Sequence, residues 1–86
     1  MSPATFIKRL EEDEANNLVY RRGECEGLIS VWKYEGSFIL TWEECLTGEQ
    51  YDESTYSRDE RHVFPNIDEV LAFLTRSGLK VESFAP

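Results

Sequence analysis

Cysteine is scarce in this chain and histidine scarcer: Cys25, Cys45 and His62 are all there is. Two thiols cannot build a disulfide framework. Without a C-x-x-C or Cys–His spacing they do not form a four-ligand zinc site either. No glycine-rich phosphate loop, nucleophile elbow or D-x-D-x-D-G calcium loop is present. No apolar run approaches the roughly 20 residues that cross a bilayer, and no apolar signal core follows Met1. The chain is therefore expected to be cytoplasmic, with no membrane partner, no cofactor and no metal. Internal repeats and low-complexity linkers are lacking too. Basic residues are few, nine against seventeen acids, for a net charge of −8. Such a charge repels phosphate backbones and disfavours direct nucleic-acid binding. The same charge attracts basic proteins and speeds their encounter.

What is there is enough for one folded domain. The 86 residues are 41% hydrophobic and 13% aromatic, too rich in aromatics for a disordered acidic chain. Ser2–Pro3 reads as a helix N-cap followed by proline at the first helical position. Phe6, Ile7 and Leu10 then share one helical face. Four acids, Glu11 to Glu14, sit where the helix dipole is already negative, so the helix is expected to fray there into a loop ending at Asn16–Asn17. Leu18–Val19–Tyr20 and Cys25 to Tyr34 are β-prone runs separated by Arg22–Gly23.

The next turn decides the sheet. A two-residue loop at Glu35–Gly36 would hold Glu35 at positive φ, which suits glutamate badly. A three-residue loop, Tyr34–Glu35–Gly36, asks this only of Gly36 and ends in a bulge. In that register Leu28, Trp32, Phe38, Leu40 and Trp42 form the core face. Cys25 lies opposite Cys45, and Glu26 opposite Glu44. The other face then carries Ile29, Val31, Ile39 and Thr41, which either the first helix covers or a partner does. Ile29, Val31 and Ile39 are therefore the candidate oligomer face, with a homodimer as its product.

Beyond Thr47–Gly48, a polar strand is expected from Tyr51 to Tyr56, with a further short one from Arg61 to Phe64. Asn66 with Glu69 forms a capping box, and Ile67, Val70, Leu71 and Leu74 follow at helical spacing up to Gly78. Leu79 to Phe84 alternates like a final strand. The expected fold is α+β: an antiparallel sheet of four to five strands with two helices packed on it, in the order α-β-β-β-β-α-β.

Function is carried by no motif. The best candidate contact surface is the acidic block that follows the hairpin. It holds Glu43, Glu44, Asp52, Glu53, Asp59 and Glu60, with Glu49 beside them and Tyr51 and Tyr56 as amphipathic anchors. The expectation is a non-enzymatic interaction module, inhibitor- or immunity-like, that presents this surface to a basic protein, in one variant as a nucleic-acid mimic. Two alternatives stand beside it: a small homo-oligomeric structural or regulatory protein, and an acid–base enzyme or enzyme subunit using His62 with Asp59 or Glu60. Solubility and protection of a sheet edge would account for the same acids without any partner.

Overall fold

The computed structural model describes residues 1–48 and 56–86. Helix α1 (Pro3–Glu11) leads into a meander of β1 (Asn16–Arg22), β2 (Cys25–Tyr34), β3 (Ser37–Leu46) and β4 (Arg58–Phe64), followed by helix α2 (Ile67–Arg76). The strands are antiparallel and lie in chain order. Both helices pack on one face of the sheet, the α+β arrangement that the sequence predicts. The strand expected from Tyr51 to Tyr56 lies almost wholly outside the described residues; Tyr56 itself precedes β4.

Both helices start where their caps say. The Ser2 hydroxyl accepts from the Thr5 amide at 3.1 Å, and Asn66 Oδ1 accepts from the Glu69 amide at 3.0 Å. α1 ends at the acids, with Asp13 at φ 61°. Arg9 closes the connection, donating to Asn16 Oδ1, Glu14 and the Ala15 carbonyl. Asn16, fully buried, donates in turn to the Phe6 carbonyl. At the far end of α2, Gly78 takes φ 76° and the Leu79 amide reaches the Leu74 carbonyl at 2.8 Å.

The hairpin register differs from the one expected. β2 and β3 are joined by the two-residue turn Glu35–Gly36, with φ of 50° and 80°. Ile29 faces Trp42 and Val31 faces Leu40. A one-residue change of this kind turns every side chain of one strand to the other face. Leu28 and Trp32 therefore leave the core, and Ile29 and Val31 enter it, fully buried among Phe6, Leu10, Leu40 and Leu74. Left-handed backbone at glutamate costs about 1–2 kcal/mol. Against this, a turn with two positive φ values matches the twist of the flanking strands and leaves the ladder free of a bulge.

Three expectations are corrected with the register. Ile29, Val31 and Ile39 do not share a face: the first two lie under the helices, and Ile39 points the other way. Cys25 faces Leu46 and Cys45 faces Glu26, so the two thiols lie on opposite faces of the sheet and form no disulfide. Glu44 faces Gly27, not Glu26.

The C-terminal segment is corrected as well. It forms a short 3-10 turn at Val81–Ser83 rather than a strand. The turn buries Phe84 edge-on against Phe6, with ring centroids 5.3 Å apart. A single bridge, Ala85 to Asn17, then touches the edge of β1. Burying one aromatic ring determines the path here, where the alternation of Leu79 to Phe84 suggests a strand.

A split acidic surface as candidate functional site

Adjacent residues of a strand point to opposite faces, and this divides the acidic block. Glu43 and Asp59, directly opposite one another across β3 and β4, belong to the helix-free face. Glu44 and Glu60 belong to the helix-bearing face, opposite Arg58 and Trp42. Glu49, Tyr51, Asp52 and Glu53 lie outside the described residues.

On the helix-bearing face the acids hold the sheet together. The helices leave the end of the sheet away from the Glu35–Gly36 turn uncovered, and side chains close it. Tyr20 reaches from β1 across Gly27 of β2 to Glu44 of β3. A β-carbon at Gly27 would collide with the Tyr20 ring, so glycine is what permits the crossing. The Tyr20 hydroxyl donates to Glu44 Oε1 at 2.6 Å and accepts from Trp42 Nε1 at 3.0 Å. Ser57 Oγ donates to the other Glu44 oxygen at 3.0 Å. Partial burial, reinforced by the hydrogen bond to Glu44, holds the Tyr20 phenol above its ordinary pKa. The Tyr20 hydrogen bond in turn holds the Glu44 carboxyl below the usual carboxylate range. The Arg58 guanidinium lies 3.8 Å over the Trp42 ring and 3.1 Å from Glu60, a cation–π contact backed by an ion pair.

His62 completes this row. Its Nε2 lies 2.9 Å from Glu60 Oε1, and its ring packs against Phe64 and Phe73. Of its two candidate carboxylate partners, Glu60 is beside it and Asp59 points to the opposite face. Glu60 is thereby shared between a histidine and an arginine.

The helix-free face is different. Cross-strand pairing sets its side chains in rows: Trp32, Ile39 and Val63; then Asn17, Ser30, Thr41 and Arg61; then Val19, Leu28, Glu43 and Asp59; then Arg21, Glu26 and Cys45. Val19 is 77% exposed, Val63 62% and Leu28 40%, whereas Ile39 at the centre of its row is 4% exposed. Glu43 and Asp59 have no ion-pair partner among the described residues, while nearby Arg21 is bonded to Glu26 at 2.7 Å. An open groove of about 510 Å³ crosses this region, lined by Val19, Leu28, Glu43, Cys45 and Tyr56 among others. Glu43, Asp59 and Tyr56 are thus the sequence candidates that border the exposed apolar residues. Val19, Leu28 and Val63 join them only once the register is known.

Among the described residues, no cluster of three histidine, cysteine or acidic side chains is arranged to hold a metal ion. No helix among them is long and apolar enough to cross a membrane. No family model, curated protein or solved structure matches this chain.

Proposed function

We propose that the protein is a non-enzymatic interaction module that binds a basic protein surface through the helix-free face of its sheet. One observation carries this reading. Glu43 and Asp59 stand opposite one another without an ion-pair partner among the described residues, in the same row as exposed Leu28 and Val19. Like charges directly opposed across a ladder destabilise a sheet, and exposed apolar side chains beside them add nothing to the fold. A lysine or arginine seated between the two carboxylates, with an apolar neighbour on Leu28 and Val19, relieves both. The same arrangement disfavours self-association through this face, because a second copy brings two more carboxylates to it.

The partner is recovered by affinity capture on the full chain and identified by mass spectrometry, and its binding is then followed by surface plasmon resonance at two salt concentrations. Association is expected to slow as salt rises, since exposed charges are screened beyond about 8 Å at physiological ionic strength. Glu43→Lys with Asp59→Lys is expected to weaken binding at least tenfold, and Tyr56→Ala to raise the off-rate. His62→Gln is expected to leave binding unchanged. Binding indifferent both to salt and to the double charge reversal overturns the proposal.

A further inference from the structure

The outer edge of β1 already pairs with one residue of the chain itself. The Asn17 amide donates to the Ala85 carbonyl and the Ala85 amide to the Asn17 carbonyl, both at 2.7 Å. This is a reciprocal antiparallel bridge. Backbone groups alternate in direction along an antiparallel ladder. With Asn17 turned outward, Val19 and Arg21 turn outward too, while Leu18 and Tyr20 bond to β2. The C-terminal segment does not follow the edge that far, because it reaches Ala85 from the 3-10 turn at Val81–Ser83. Two amides and two carbonyls therefore continue the line of the Ala85 bridge, next to a side chain, Val19, that is 77% exposed.

We propose that the edge of β1 at Val19 and Arg21 accepts an extended peptide segment of a partner protein, added antiparallel as Ala85 is. Main-chain bonds supply the affinity in such additions, and alternate side chains the selectivity. The partner residue opposite Val19 shares the helix-free face with Val19 and Leu28, so it is a β-branched or other apolar residue. The residue two positions before it faces Arg21, whose side chain is 60% exposed and ion-paired with Glu26, and a carboxylate there has a cation to share. The segment therefore reads acidic–x–apolar. This inference stands on the strand edge and not on Glu43 and Asp59.

The test uses the full chain and a random twelve-residue peptide library displayed on phage. Enriched peptides are expected to carry the acidic–x–apolar pattern. A synthetic copy of the strongest is then measured on the unaltered protein and on Val19→Pro. That substitution removes an outward amide which β2 does not use. Affinity is expected to fall at least tenfold in Val19→Pro and not to fall in the Glu43→Lys, Asp59→Lys double variant, whose added positive charge can only favour an acidic segment. Amide exchange on the unaltered protein, expected to slow at Val19 and Arg21 when the peptide is bound, decides the matter if Val19→Pro does not fold. A library that enriches no peptide, an unchanged affinity in folded Val19→Pro, or exchange slowed only away from β1 overturns the proposal. Peptide binding lost on charge reversal and kept in Val19→Pro overturns it while leaving the acidic-face reading intact.

Discussion

Tyr20 joins three strands with one side chain, and its hydroxyl serves two partners of opposite character. Tyr20→Phe keeps the ring over Gly27 but leaves Trp42 Nε1 without an acceptor and removes a donor from Glu44. Such losses cost about 1–3 kcal/mol where the orphaned group is buried. Urea titration is expected to show a fall in that range for Tyr20→Phe, with the slope of the transition unchanged. The pair also shapes the response to pH. Glu44 has its carboxyl held low in the folded state. Its contribution is present above the unfolded carboxylate value of about 4.3 and is lost as pH falls through the folded value. Tyr20 has its phenol held high, so its contribution is complete below about 10 and is lost as pH rises through the folded value. Glu44→Gln is expected to lose stability at pH 7 and to show a flatter acid limb than the unaltered protein when unfolding is compared at pH 7 and pH 3.

At the scale of elements, the hairpin and α2 make contrasting cases. α2 is legible because every signal agrees: Asn66 opens it, Gly78 closes it, and Val70 and Leu74 fall on the buried stripe. Leu74→Ala is expected to cost roughly 2–5 kcal/mol by urea titration, as for other buried leucines. The hairpin is legible in its strands but not in its register, because the register turns on the φ angle of one residue. Glu35 argues locally for the longer loop, and the ladder as a whole overrules it. Asparagine is favoured over glutamate at such a position. Glu35→Asn is expected to stabilise the protein by about 1 kcal/mol. The same change in a three-residue loop, where Glu35 would be right-handed, would bring no such gain. The site was half legible for the same reason. The neighbours Glu43 and Glu44 part to opposite faces in either register, but whether Leu28 or Ile29 shares the outer face with Glu43 follows from the turn. Gly27, a glycine inside a strand, was the one available sign of a close approach, and it points to Tyr20 only once β1 is paired.

At the scale of the whole molecule, both helices lie on one side of the sheet, and among the described residues no helix lies on the other. The net charge of −8 adds to the repulsion between Glu43 and Asp59, and this gives a test that needs no partner. Glu43→Gln is expected to raise the stability of the isolated protein by about 0.2–1 kcal/mol, the range for a cross-strand charge pair. The gain should shrink in high salt as screening replaces the mutation. The same variant is expected to bind the basic partner more weakly. Stability gained together with binding lost marks residues kept for contact; Glu43→Gln that destabilises the protein would assign Glu43 to the fold instead.

The two tryptophans lie on opposite faces of the sheet. Trp42 is enclosed beneath Arg58 and hydrogen-bonded to Tyr20, while Trp32 stands half-buried beside Ile39 on the face opposite the helices. Each face therefore carries its own optical reporter. Emission from Trp42 follows the closure of the sheet end, and emission from Trp32 follows what settles on the open side. With Trp42→Phe, a partner that docks there is seen in the light of a single indole, with no label attached.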